Sequence, residues 1–204
     1  MVSSIKDNFN ISDDIWMEEL WEWADQNGFD DYEGVEFSEK YGCVPELALP
    51  RNKNELLKVT RLIFKDADSL TELPESIGNL TRLKHLDLRF NQLTQLPISI
   101  GNLKNLEFLD FGGNALIKLP VSIRHLSKLV TLYLENNKLT ELPTSICELL
   151  KLRTLDISGN RLTELPKSIG KLTNLQFLYF KGNELSELPE SIWDLTELED
   201  SDLN

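Results

Sequence analysis

Two aspartates at equivalent positions, Asp87 and Asp110, are the residues whose spacing most directly suggests chemistry. They lie 23 residues apart, which is the spacing at which the surrounding sequence repeats. On neighbouring strands of a sheet they would be about 4.8 Å apart. Two carboxylates at about 5 Å form the acid pair of a retaining glycosidase, and they could also hold a glycan or a cation. An open sheet offers no cleft to exclude water, so we favour an acidic patch that meets a basic partner.

Other catalytic arrangements fail on spacing. The histidines are His85 and His125, and Ser158 would lie three strands from His85, about 14 Å away. No nucleophile and base can meet at that distance, and no phosphate-binding or dinucleotide-binding glycine motif is present. Cys43 and Cys147 belong to no CxxC motif or Cys/His cluster. The sequence therefore predicts no enzyme, no cofactor and no metal site.

The elements that position these residues come from a 23-residue repeat that keeps its register from Leu83 to the C-terminus. Each copy follows LxxLxLxxNxLxxLPxxIxxLxx, and copies begin at Leu83, Leu106, Leu129, Leu152, Leu175 and Leu198. A fixed period of this length is typical of a solenoid, in which each unit buries its apolar face only against its neighbours.

The positions within one repeat predict its local structure. Leucines at the fourth and sixth places alternate with other residues, so they bury one side of a short strand, and stacked copies give a parallel sheet. An asparagine follows each strand, where its amide can pair buried main-chain groups; these are Asn91, Asn114, Asn137, Asn160 and Asn183. A later proline can start a short helical or 3₁₀ turn; these are Pro74, Pro97, Pro120, Pro143, Pro166 and Pro189.

The segments LDLRFNQLTQLPISIGNLKN and LDISGNRLTELPKSIGKLTN resemble typical leucine-rich repeats. Their LPxxIGxL half is similar to that of Ras-suppressor-like, Scribble-like and plant intracellular Ras-group proteins and of bacterial proteins built from this unit. The resemblance implies an α/β solenoid, a horseshoe with a parallel concave sheet, that is usually not an enzyme and binds other proteins on its concave face. The crossover rule for parallel strands predicts that the solenoid is right-handed.

We expect two parts in the chain. Residues 1–58 would form an acidic helical cap, with a helix from Ser12 to Asn27 that presents tryptophans and leucine on one broad apolar face and shields the first repeat. A further helical turn is expected near Asn52 to Lys58. Residues 59–204 would form the array, with an irregular first unit, five regular copies and a partial terminal copy. In that first unit Val59, Leu62, Phe64 and Leu70 match the repeat, and Asp68 lies near the asparagine position.

Strand positions between the leucines are the ones that we expect to have no structural role. Exposed aromatic residues beside fixed charges are typical of a protein-binding surface. We predict that aromatic residues centre the binding and that charged residues orient the partner; these are Phe108, Tyr133, Phe177 and Tyr179, with Asp87, Asp110, Asp156, Arg89 and Lys181. Packing of the rings against each other across strands is the structural alternative.

Charge distribution limits the partners. The formal net charge is −13, with −9 in residues 1–53 and seven acids without a base in residues 187–204. Nucleic acid and anionic membranes need a concentrated basic surface, so we expect an unidentified protein partner, no nucleic acid, no membrane and a monomeric chain. We see no Sec signal peptide and no apolar run of about 18 residues. A cytoplasmic location is therefore expected, and a secreted bacterial effector that uses the same surface stays an alternative.

Overall fold

A computed structural model of the protein describes residues 15–27, 49–65 and 70–203. Within these ranges two helices precede the array, namely α1 (Ile15–Gln26) and α2 (Lys53–Leu56). Seven strands then alternate with 3₁₀ helices; they are β1 (Arg61–Ile63), β2 (His85–Asp87), β3 (Phe108–Asp110), β4 (Thr131–Tyr133), β5 (Thr154–Asp156), β6 (Phe177–Tyr179) and β7 (Asp200–Ser201). The strands pair in chain order and in parallel, in one open sheet. The predicted α/β solenoid is confirmed.

The apolar side of α1 closes the start of this array. Met17, Leu20, Trp23 and Ala24 are buried, whereas Trp16 is only partly buried. The helix thus presents the predicted apolar face, although the expected capping residue, Ser12, lies outside the described residues. Among the described residues no helix is long and apolar enough to cross a membrane.

Tryptophan side chains fix α1 to the chain that follows it. The Trp23 indole N–H donates to the Glu72 carbonyl at 2.9 Å, and its ring meets Phe64 edge to face with centroids 5.5 Å apart. The Trp21 indole N–H donates to the Pro50 carbonyl at 2.9 Å. Trp23 therefore satisfies its polar atom while it buries its ring, as buried tryptophans require.

The short helix α2 confirms the predicted turn before the array. Its N-cap is Asn52, whose side-chain oxygen accepts from the backbone N–H groups of Asn54 and Glu55. The irregular first unit follows, and Val59, Leu62, Phe64 and Leu70 are all buried. Asp68 lies outside the described residues, and the division of the chain between residues 58 and 59 stays a prediction.

The asparagines form a continuous ladder between neighbouring coils. The Asn137 amide nitrogen donates to the Phe111 carbonyl of the preceding coil at 2.9 Å and to the Leu134 carbonyl of its own coil at 3.1 Å. Its side-chain oxygen accepts from the backbone N–H of Leu116 at 2.9 Å. Asn114 and Asn160 repeat this arrangement. The ladder pairs strand-end groups that would otherwise be buried without a partner.

Short 3₁₀ helices form the return half of each unit and stack on one another. In five of the six, the helix begins directly after the repeat proline, as predicted from the fixed φ of that residue. The helices are Glu75–Asn79, Ile98–Asn102, Val121–His125, Thr144–Glu148, Ile169–Lys171 and Glu190–Asp194. Their packing is tight, since a Cβ added at Gly101 would lie 2.5 Å from the Ser122 carbonyl oxygen. Cys147 fills the equivalent slot as a buried free thiol, as expected for a small side chain in a packed turn.

The last strand, β7, is capped by an aspartate. Ser201 takes the place of a core leucine and pairs with Leu178. One Asp202 carboxylate oxygen accepts from the backbone N–H groups of Phe180 and Lys181 at 2.7 and 2.8 Å. Although burial acts to raise the pKa of Asp202, these hydrogen bonds and the Lys181 charge hold it below its ordinary value.

Replacement of Asn137 by alanine should lower the free energy of unfolding by about 1–3 kcal/mol, because it leaves buried carbonyl and N–H groups without partners. Urea unfolding followed by circular dichroism measures this change. Asn102→Ala, at an exposed site, is the control and should change stability by less than about 0.5 kcal/mol. Equal effects of the two substitutions would contradict the role of the ladder.

Replacement of Trp23 by alanine should cost about 3 kcal/mol or more, because it removes a buried ring and leaves the Glu72 carbonyl unpaired. Trp193→Ala is a matched control, since that ring is 69% exposed. The same unfolding experiment compares the two variants. If the Trp23 variant is no less stable than the Trp193 variant, α1 does not stabilise the array.

Candidate protein-binding face

We call the side of the sheet that carries the third, fifth and seventh residues of each repeat the open face. On β2 to β6 these residues are His85, Asp87, Arg89, Phe108, Asp110, Gly112, Thr131, Tyr133, Glu135, Thr154, Asp156, Ser158, Phe177, Tyr179 and Lys181. The parallel register places equivalent residues side by side, so that Asp87 pairs with Asp110 and His85 with Phe108. All nine residues predicted to bind a partner therefore lie on one surface.

Two of those residues, Asp87 and Asp110, are nearly inaccessible, with exposures of 3% and 2%. Asp110 accepts from the backbone N–H of Gly112 at 2.9 Å, and Asp87 accepts from that of Arg89 at 3.3 Å. Asp156 accepts from the Ser158 N–H at 2.9 Å in the same way. The expectation that these positions have no structural role is therefore wrong for the aspartates, because each one holds the turn at the end of its strand.

Arg89 lies over the two buried carboxylates. Its guanidinium nitrogens are 3.2 Å from an Asp87 oxygen and 3.8 Å from an Asp110 oxygen. The cation thus offsets the repulsion that the register creates by placing two acids side by side. Arg89 has a structural role as well as its predicted orienting role, and this correction applies to it too.

The neighbourhood of Asp110 remains unfavourable for a charged group. Burial raises the pKa of Asp110, and the nearby charge of Asp87 adds to this effect. These causes outweigh the Gly112 hydrogen bond and the attraction of Arg89, which both act to lower the pKa. Within the described residues, no three His, Cys, Asp or Glu side chains are grouped to hold a metal ion.

Aromatic rings form a stack across three strands. His85 and Phe108 lie face to face with centroids 4.1 Å apart and planes 4° apart. Phe108 meets Tyr133 edge to face at 5.8 Å. Burial, followed by the charges of Arg61 and Arg89, lowers the pKa of His85 to about 4, so this imidazole is neutral at pH 7. The rings are half-buried against each other, as the structural alternative predicts, and they also leave part of their surface open.

Phe177 and Tyr179 form a separate group on β6. Strand β5 lies between them and Tyr133, a separation of about 10 Å at sheet spacing. The Tyr179 hydroxyl is 3.0 Å from an Asp200 carboxylate oxygen, and the Lys181 ammonium is 3.1 Å from Asp202. The structure therefore brings Phe108 and Tyr133 together but does not join them to the other two aromatic residues.

One family model and several solved structures match this chain. The family model that describes a leucine-rich repeat region matches residues 43–146 and 142–201, well over half of the chain. The chain belongs to the leucine-rich repeat family. A comparison with curated proteins finds no match.

Three solved structures illustrate the likeness of this leucine-rich repeat protein to others. A leucine-rich repeat protein of Leptospira interrogans is 36% identical, with a TM-score of 0.67, over 71% of this chain and 36% of that one. The plant peptide hormone receptor RGFR1, in complex with RGF2, is 37% identical, with a TM-score of 0.65, over 72% and 24%. An internalin of Listeria monocytogenes is 24% identical, with a TM-score of 0.63, over 78% and 46%, and shows the fold alone. The chain spans less than half of the length of each.

Sequence reasoning about the repeats missed Phe90. It has a φ of +56°, at a position where other repeats place Gly113, Gly159 and Gly182, which also have positive φ. The side chain is 54% exposed, and its ring lies close to Gly113, where an added Cβ would be 2.6 Å from it. A positive φ is costly for a bulky residue. The detectable signal was a phenylalanine in a slot that otherwise holds glycine or asparagine.

Glu135 occupies the seventh position of its repeat and is not among the residues predicted to bind a partner. Its carboxylate lies against the backbone of Gly112, so that an added Cβ at that glycine would be 2.0 Å from a Glu135 oxygen. Burial raises the pKa of Glu135, and the charges of Asp110 and Asp156 act in the same direction. The side chain thus joins the acidic centre of this leucine-rich repeat sheet.

Replacement of Asp110 by asparagine tests the electrostatics of the open face. A carboxyl group whose pKa is raised by folding stabilises the protein fully below its unfolded pKa of about 3.9, and this contribution is lost as the pH rises through the folded pKa. We therefore expect the wild type to lose stability relative to Asp110→Asn between pH ~3.5 and pH ~7. Urea midpoints at the two pH values measure this difference.

The control for this measurement is Glu164→Gln, which removes one charge at an exposed position. It should give a smaller dependence on pH than Asp110→Asn. If the wild type instead gains stability over Asp110→Asn as the pH rises, the local balance is dominated by Arg89 rather than by burial.

Proposed function

We propose that this protein is a non-enzymatic binding module that holds a protein partner on the open face. The observation that carries this proposal is the partly exposed stack of His85, Phe108 and Tyr133 beside fixed charges. Aromatic residues lose little conformational entropy on binding and are enriched at the energetic centres of interfaces. The leucine-rich repeat fold, generally a protein interaction module, supports the same function.

Rigidity of the support also favours binding. Each ring stands on a three-residue strand that is paired on both sides and followed by the asparagine ladder. A partner would therefore meet rings whose positions are set before contact, and this lowers the entropic cost of association.

A reaction at Asp87 and Asp110 is less well supported. Both carboxylates accept hydrogen bonds from their own strand ends, and Arg89 lies over the pair. A glycosidase acid must approach the leaving oxygen of a sugar, whereas these side chains are almost inaccessible. The same contacts disfavour glycan or cation binding at this pair.

Likeness to a plant peptide hormone receptor supports a protein or peptide ligand. That receptor was solved in complex with RGF2. We propose that the open face of this chain is the surface that binds a protein or peptide ligand. A cytoplasmic location, a monomeric state and the exclusion of nucleic acid and membranes stay predictions. The alternative that this chain is a secreted bacterial effector, which uses the same face, stays open.

A variant with Tyr133→Ala, Phe177→Ala and Tyr179→Ala tests the proposed face. Immobilised wild type and variant are used to capture proteins from cell extract, and the captured proteins are quantified by mass spectrometry. Loss of three interfacial rings should reduce the apparent affinity for a true partner at least about tenfold.

A matched control replaces three exposed apolar residues away from the open face, with Ile98→Ala, Val121→Ala and Trp193→Ala. This control should capture the same partner as the wild type. Melting temperatures of all three proteins show whether each variant is folded. A partner that both variants retain equally would rule out the open face as the binding surface.

A further inference from the structure

Tyr133 lies between two carboxylates on the open face. The register pairs it with Asp110 of β3 and with Asp156 of β5, about 4.8 Å away on either side. Glu135 follows two residues later on the same side of the chain. The three acids also act on Tyr133 electrostatically, since burial first and then their charges raise the pKa of its hydroxyl. One aromatic ring is thus surrounded by three carboxyl groups.

Positive charge within the sheet does not balance these acids. From β2 to the turn after β5, the third, fifth and seventh positions hold one base, Arg89, and four acids, a net charge of −3; the further bases Arg61 and Lys181 belong to the units on either side. The acids are Asp87, Asp110, Glu135 and Asp156. Arg89 lies closer to Asp87 than to Asp110. His85 adds no charge, because its pKa is lowered to about 4.

Glu135 shows the imbalance most directly. Its second carboxylate oxygen is closed off from solvent and has no hydrogen-bond partner among the described residues. A buried acceptor without a donor is costly. A cation placed near this partly exposed side chain would offset that cost through its charge and would also reduce the repulsion from Asp110 and Asp156.

The ring of Tyr133 favours a cationic donor of one kind. It is half-buried, and its position is fixed by the edge contact with Phe108. A cation over an aromatic face is attracted by the ring. A guanidinium group can stack on the ring and donate up to five hydrogen bonds in one plane, whereas an ammonium group acts as a compact, strongly hydrated charge.

We propose that the partner places an arginine side chain on Tyr133, where the guanidinium stacks on the ring and donates hydrogen bonds to the partly exposed carboxylates of Asp156 and Glu135, while its charge offsets that of the buried Asp110. This inference rests on the proposed function and adds to it the chemistry of the bound segment. The partner's contact region is then a basic protein segment, which complements the net negative charge at the centre of the open face.

Titration of the full chain with Nα-acetyl-arginine amide tests the proposal, with amide resonances followed by NMR. The matched probe is Nα-acetyl-citrulline amide, which has a similar shape but no charge. The arginine probe should shift the resonances of Tyr133, Glu135 and Gly112, and the citrulline probe should not. Equal shifts with both probes, or equal affinity for Nα-acetyl-lysine amide, would overturn the assignment.

Variants at the ring and at the acids separate stacking from charge. Tyr133→Phe should keep the affinity of the arginine probe, and Tyr133→Leu should weaken it about fivefold. The variant Asp110→Asn, Glu135→Gln, Asp156→Asn should lose the interaction. Its control makes the same change in charge at three exposed glutamates, with Glu141→Gln, Glu164→Gln and Glu187→Gln, and should bind as the wild type does.

The capture experiment distinguishes failure of this inference from failure of the proposed function. A partner that is lost by the aromatic triple variant but retained by the acid variant leaves binding on the open face intact and overturns the arginine contact. A partner retained by both variants overturns the proposed function itself. Loss with the acid variant, and not with its glutamate control, supports the arginine contact.

Discussion

The hydrogen-bonded asparagine ladder is the interaction on which the rest of the structure depends. Each strand has at most three residues, so the sheet hydrogen bonds of one coil are few. One side-chain amide, such as that of Asn137, donates to two coils and accepts from the earlier one. Because these groups are buried, an unpaired ladder position would cost about 1–3 kcal/mol. The ladder therefore fixes the register between each coil and the next.

That fixed register decides which side chains meet on the open face. Equivalent residues must lie side by side, whether or not their chemistry is compatible. Stacking of His85 on Phe108 is a favourable result, whereas the meeting of Asp87 and Asp110 is an unfavourable one that Arg89 offsets. The acidic surroundings of Tyr133 arise in the same way. The chemistry of the open face is thus a consequence of register, and no strand has to be specialised for it.

Predictions from the sequence were most successful where a residue has one possible structural role. The leucines, asparagines and prolines were predicted correctly because burial, amide pairing and a fixed φ each leave a single solution. The prediction was wrong for Asp87 and Asp110, which were expected to have no structural role. An aspartate after a strand can face solvent or accept from the N–H two residues on, and sequence spacing does not distinguish these cases. Phe90 was missed because its φ is set by the coil and not by its own preference.

The sequence by itself determined the repeat, the parallel register and therefore which residues share the open face, because a constant period allows only one stacking of equivalent positions. Only the tertiary structure decided which of those residues remain accessible and which neighbours they have. It buried Asp87 and Asp110, joined Phe108 to Tyr133 and left Phe177 and Tyr179 apart. The physical reason is that accessibility and charge balance depend on side-chain directions and on distances between coils, and both are set when the coils pack.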